Sequence, residues 1–176
     1  MNKPWIAFFS QTGSEICDLA ESLGKWPDVI VTNIRPKHER TIDPRLEGKK
    51  LTLVPNKPNA LHYKHILRAK KDPIVTLHGW LRIVPEKITN EYEIYNGHPG
   101  LITKYPELKG KDPQVRTWEG IKKDIYPTAG CVIHRVTAGV DEGKVLSFER
   151  FATWDIATLD ELFDTLRDRS LYLWVN

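Results

Sequence analysis

The stretch Tyr95-Asn96-Gly97-His98-Pro99-Gly100 carries the most concentrated chemistry in the sequence. On an extended strand, residues two apart point to the same face, so Asn96 and His98 project side by side. Gly97 between them adds no side chain. Pro99 lacks a backbone donor, marks where strand pairing stops and biases His98 toward extended geometry. An amide N–H and an imidazole N–H aimed at one point are what a developing oxyanion needs. A second stretch, Val136-Thr137-Ala138-Gly139-Val140-Asp141-Glu142-Gly143, frames an acid between two glycines. A carboxylate beside His98 orients the ring and favours its charged form. Neither stretch is specific by itself, since Asn-x-His is short and an aspartate in a Gly-rich turn is also a common turn former. A third stretch, Leu77-His78-Gly79-Trp80-Leu81-Arg82-Ile83-Val84-Pro85, runs on past a strand-ending glycine. It reads either as a connection covering the core or as an apolar slot whose free backbone groups take a flat heterocycle.

Positioning these residues requires a scaffold, and the apolar pattern predicts one. Trp5 to Phe9 is a continuous apolar run followed by a tight turn, with Thr12 or Ser14 as helix cap; Ile16, Leu19, Ala20 and Leu23 then recur at helical spacing up to Gly24. Further strands are predicted over Asp28 to Ile34, Leu51 to Val54, Ile74 to Leu77, Glu93 to Asn96, Cys131 to Val136 and Val145 to Phe151. Leu61, Ile66 and Leu67 predict a helix ending by Lys71, and Leu159, Leu162, Phe163 and Leu166 predict a closing one, with Leu171 to Leu173 at its end. The segment Arg35 to Lys49 is charged, contains two prolines and has no period, and reads as a loop or lid. Strands alternating with helices predict the α/β class: a Rossmann-like, mostly parallel twisted sheet with helices on both faces, in a single domain over residues 1–176. Such sheets bind ligands beyond the carboxyl ends of their strands.

Composition removes several classes of function. Twenty-six Lys and Arg against 23 Asp and Glu leave a net charge of +3, too small and too dispersed to point to nucleic acid. The early apolar run is too short for an export signal or a spanning helix, so no membrane is expected and the cytoplasm is the default location. Cys17 and Cys131 lie in apolar-periodic stretches and read as small core residues. His62 and His65, three apart on a predicted helix, read as surface residues, and no metal is expected.

Taken together and in order, the three stretches resemble the folate-dependent formyltransferases, in both the glycinamide ribonucleotide and the methionyl-tRNA branches. The resemblance rests on Gly79-Trp80-Leu81-Arg82-Ile83-Val84-Pro85, Asn96-Gly97-His98-Pro99, Tyr105-Pro106 and Gly139-Val140-Asp141-Glu142-Gly143, and spans roughly Pro73 to Leu146. It implies Asn96, His98 and Asp141 as catalytic residues and 10-formyltetrahydrofolate as formyl donor. It further implies that Trp80, Leu81, Arg82, Ile83 and Val84, with Val136, Thr137, Ala138, Gly139 and Val140, hold the pterin. On the acceptor side it implies Thr12, Gly13, Ser14, Pro99 and Gly100. The implied partner is a small anionic amine of the glycinamide ribonucleotide kind.

The sequence also departs from that pattern. The turn after the first strand keeps only Gly13-Ser14 of a Gly-rich phosphate cradle, and Glu15 places a carboxylate there that repels phosphate unless it points away. The family's proline after His-Pro is Thr103. Lys109, Lys111 and Arg116 either supply charge for an anionic acceptor or form a solvated loop, and Trp118 is a candidate cover on the acceptor side. The chain ends at Asn176 without the further domain of the transfer-RNA branch, which argues against that acceptor. A formyltetrahydrofolate hydrolase, a sugar-nucleotide N-formyltransferase and a folate-binding module without turnover remain as alternatives.

Overall fold

Trp5–Phe9, the first apolar run, forms strand β1 and is buried along its whole length. Burying each side chain of this size is worth about 1.5–3 kcal/mol, which explains why a run without alternation ends up inside. The computed structural model describes residues 3–34 and 42–176, grouped in two compact units.

The first unit takes in residues up to Asn96 together with Val136–Ala138. After β1 come helix α1 (Ser14–Leu23), strand β2 (Val29–Thr32), strand β3 (Leu51–Leu53), helix α2 (Ala60–Leu67), strand β4 (Ile74–His78) and helix α3 (Glu86–Glu91). Strand β5 (Ile94–His98) starts in this unit. β2 pairs in parallel with β1 and β3, and β4 with β1 and β5. Ile6, Phe8, Val75, Leu77, Tyr63 and Ile94 lie in the buried core they share.

The second unit comprises Gly97–Arg135 and Gly139–Asn176. It holds helix α4 (Pro113–Ile121), strands β6 (Thr128–Arg135) and β7 (Val145–Ala152), and helix α5 (Leu159–Val175). β6 and β7 are antiparallel, with a register shift between Ile133 and His134. Leu162 and Leu166 of α5 pack on Ala129 and Cys131 of β6.

With seven strands among the described residues, mostly parallel, and helices between them, the chain has the predicted α/β class. Some local expectations change. The cap of α1 is Gly13, at φ +78°, rather than Thr12 or Ser14: a Cβ there would stand 2.7 Å from Leu46. Thr12 instead accepts the Ser14 N–H through its hydroxyl, at 3.3 Å. His62 is not merely a surface residue, since its Nδ1 accepts the Asn59 N–H in the capping box of α2. Of the expected lid, residues 35–41 lie outside the described residues. The part that follows includes a 3₁₀ turn, Pro44–Leu46, and Arg45 ties it to Asp18, Glu21 and Asp43 at 2.8 Å each. Helices α3 and α4 are absent from the pattern reading, because each is short and opens on or beside a proline. Both cysteines are buried, as expected of small core residues.

Candidate active site

The second unit assembles a buried His–Asp–His group. His98, at the end of β5, sets Nδ1 3.2 Å from Asp141 Oδ2. His134, near the end of β6, sets Nε2 3.2 Å from Asp141 Oδ1. A further contact on the carboxylate is the Gly110 N–H, which donates to Oδ2 at 2.8 Å. Asp141 sits in the turn between β6 and β7 at φ +52°, a left-handed conformation that aspartate tolerates better than most residues. The glycines expected to shape this turn therefore flank an acid that itself takes the special conformation. The register shift beside His134 is of the kind that re-aims a side chain near a site.

The other ring nitrogens also face acceptors. His98 Nε2 lies 3.0 Å from the Leu108 carbonyl, and His134 Nδ1 lies 2.9 Å from the Arg135 carbonyl. A neutral imidazole has one N–H, so the two acceptors at His98 pull that ring toward its doubly protonated form. Burial opposes that pull on His98 and sets its pKa below the ordinary value, against the raising effect of Asp141 and the Leu108 carbonyl. Asp141 is also largely buried, which raises its pKa. The His134 hydrogen bond, the His98 charge and the Gly110 N–H outweigh that burial, so the carboxyl titrates below its usual range. Gly100 keeps space open beside His98 Nε2: a Cβ there would stand 2.9 Å from that nitrogen and 3.1 Å from Pro113. Pro99 is half-buried between them in sequence.

In the first unit, Asn96 is half-buried on β5, in register with Leu77 of β4. It stands two residues before His98 on the same strand. The segment after β4 begins at Gly79, at φ +59°, where a Cβ would meet the Gln11 amide at 2.6 Å. Ser10 donates its N–H to the Gly79 carbonyl at 3.2 Å, and its hydroxyl accepts the Leu81 N–H at 3.1 Å. Leu81 and Ile83 are 52% and 69% exposed, an apolar pair presented to solvent, while Val84 is buried. Arg82 is committed to Asn56 and to the Leu81 carbonyl. Trp80, expected beside the pterin, is built into the core: its ring meets Phe8 edge-on at 5.3 Å and its N–H donates to Tyr63 at 2.9 Å. Val136 is half-buried and donates its N–H to the Ile94 carbonyl; Thr137 and Ala138 are exposed. In the second unit, Gly139 is half-buried and Val140 exposed.

Thr12 is exposed, Gly13 buried and Ser14 half-buried at the head of α1. Glu15, the residue that departs from a phosphate cradle, directs its carboxylate to His78 Nδ1 at 3.1 Å. Arg116, considered as charge for an acceptor, instead donates to the carbonyls of Glu107, Leu108 and Lys109. Trp118 packs against the Ala129–Leu166 core of its unit. His134 belongs to this buried group, and the sequence reading passed over it. Its signal was a polar residue at a buried position of a strand, seven residues before Asp141. Among the described residues, no cluster of His, Cys, Asp and Glu has the geometry to hold a metal, and no helix is long and apolar enough to cross a membrane.

Comparison with known proteins bears on the same residues. Residues 31–173 match the family model described as Formyl transferase. The trifunctional purine biosynthetic protein adenosine-3 of Drosophila melanogaster is 30% identical over 82 residues, covering 46% of this chain and 6% of that protein. The phosphoribosylglycinamide formyltransferase of Dictyostelium discoideum is 28% identical over 96 residues, covering 51% of this chain and 45% of the relative. The match thus spans less than half the length of either relative. The crystal structure of phosphoribosylglycinamide formyltransferase from Anaplasma phagocytophilum shares the fold, with a TM-score of 0.78 at 22% identity over 97% of this chain and 83% of that one.

Proposed function

The chain belongs to the formyl transferase family, and from that premise we propose that it transfers a formyl group from 10-formyltetrahydrofolate to the amine of a small acceptor. A phosphorylated amine of the glycinamide ribonucleotide kind, in purine biosynthesis, is the first acceptor to test, as the names of the relatives suggest. The observation that carries the reading is the buried His98–Asp141 pair at 3.2 Å, with Asn96 two residues away on the same strand.

The donor is a substrate rather than a resident group. Exposed Leu81 and Ile83 and the backbone around them suit one face of its flat ring, with Thr137, Ala138 and Val140 as further candidates. The neutral amine attacks the formyl carbon, a C–N bond forms and the formyl oxygen becomes an oxyanion. The Asn96 amide and a His98 N–H donate to that oxygen. Asp141 holds His98 through Nδ1, so the ring works through Nε2, beside the space left by Gly100. The proton released by the amine passes by way of this pair to the departing folate nitrogen as the old C–N bond breaks. The products are the formylated amine and tetrahydrofolate.

The test is release of tetrahydrofolate by the purified protein, with and without a panel of amines including glycinamide ribonucleotide and an amino-sugar nucleotide. Release that depends on one amine and disappears in His98→Ala supports the proposal and names the acceptor class. Release with water alone makes the protein a hydrolase. Folate binding without release makes it a binding module.

A further inference from the structure

Between β5 and α4 the chain crosses the His–Asp group as a strap, residues 107–110. Two of its backbone groups touch the group: the Leu108 carbonyl at His98 Nε2 and the Gly110 N–H at Asp141 Oδ2. A backbone partner is only as well placed as its segment. The strap consists of the end of a 3₁₀ turn, Pro106–Leu108, and Gly110 at φ +83°, so short-range structure alone holds it weakly. What grips it is Arg116, one turn into α4, whose guanidinium donates to three successive strap carbonyls. The partners are Glu107, Leu108 at 3.0 Å and Lys109 at 2.7 Å. Its Nε is buried without a hydrogen-bond partner among the described residues, a cost that surface solvation would have avoided.

We infer that Arg116 is a positioning residue for the reaction, acting through the strap to seat His98 and Asp141. The inference rests on the reading of that pair as catalytic. Leu108 is the shared point: its carbonyl receives Arg116 on one side and His98 on the other, and a carbonyl oxygen has two lone pairs to offer. A planar fork suits this task and a lysine does not, since one ammonium cannot span three carbonyls in a row. The groups that bear electrostatically on His98 are Asp141, which favours the charged ring, and His134 and Arg116, which disfavour it.

The experiment compares wild type, Arg116→Lys and Arg116→Met as full chains. Nitrogen NMR of the His98 ring, identified by its loss in His98→Gln, and the amide signal of Gly110 are followed against pH. Formyl transfer from 10-formyltetrahydrofolate is assayed alongside. The expected result is displacement of the Gly110 amide signal and loss of the protected His98 Nε2–H in both variants. Turnover falls about tenfold with little change in KM for the folate. The His98 titration midpoint falls in the Lys variant, which keeps the charge but loses the Leu108 carbonyl, and falls less in the Met variant, where loss of the Arg116 charge offsets part of that change. If the Met variant does not fold, the Lys variant decides. Ring and amide signals at wild-type positions in a folded variant overturn the inference. If wild type itself transfers no formyl group, the functional reading fails, while the NMR comparison still decides whether Arg116 seats the pair.

Discussion

Among the described residues, two buried histidines, one in each unit, face a carboxylate through Nδ1 and differ in the partner at Nε2. In the first unit, His78 Nδ1 meets Glu15 at 3.1 Å, while Nε2 meets the Thr76 hydroxyl at 2.8 Å. That hydroxyl accepts the Trp5 indole N–H at 2.7 Å and is free to donate to Nε2. A neutral ring with its proton on Nδ1 satisfies both of these contacts. In the second unit, His98 has the same kind of partner on Nδ1, but a carbonyl on Nε2, which can only accept. One neutral ring cannot satisfy both. A hydroxyl as second partner lets a neutral ring satisfy both contacts, whereas a carbonyl leaves one contact that only a second proton can satisfy, and burial of His98 opposes that proton.

The largest test of this contrast removes the residues proposed to carry the reaction. His98→Ala and Asn96→Ala are each expected to lower turnover about a hundredfold, roughly 3 kcal/mol of transition-state stabilisation, in a tetrahydrofolate-release assay. Near-full turnover in either variant breaks the comparison. Replacing His78 by Leu should instead strip partners from Thr76 and Glu15 and cost about 1–3 kcal/mol of stability in urea denaturation. Turnover per folded molecule should remain close to wild type, and a hundredfold loss there would make the two histidines equivalent. His134→Gln should weaken the hold on Asp141 and lower turnover by about tenfold, or 1.4 kcal/mol. An unchanged rate would confine the function of Asp141 to its contact with His98.

The smallest expected effect is on stability against pH. The folded-state pKa of His98 lies below its ordinary value of 6.5, chiefly through burial. The unfolded chain therefore binds the proton more readily, and stability falls as pH drops from 6.5 toward the folded value. Asp141, depressed by its histidines and Gly110 against its burial, adds a loss only at lower pH, below its ordinary value of 3.8. Melting temperature should decline between pH 7 and pH 5, and His98→Gln should flatten that decline. Equal slopes in the two proteins would mean that other groups set the acid sensitivity.

Much of the scaffold was legible because its signals are local. Trp5–Phe9 and Ile74–His78 are apolar runs of strand length, and Leu162 and Leu166 of α5 fall on one helical face. Helix α4 was not legible, since its buried residues are Pro113, Thr117 and Gly120, which carry no apolar period. Trp80 illustrates a different limit. An aromatic beside a presumed slot turned inward, because Tyr63 and Phe8, both distant in sequence, supply a hydrogen bond and a ring to pack against.

By itself the sequence determined the α/β class and the shortlist of chemical residues, since strand periodicity and residue type are properties of neighbours along the chain. Only the tertiary structure decided that Glu15 turns to His78 rather than lying open at the head of α1. Folding also brought His134 and the Gly110 N–H onto Asp141, and it turned Arg116 from a candidate acceptor charge into a grip on backbone carbonyls. The physical reason is common to all of them. Each depends on a directional contact between groups 7 to 63 positions apart, and no local pattern encodes such a contact.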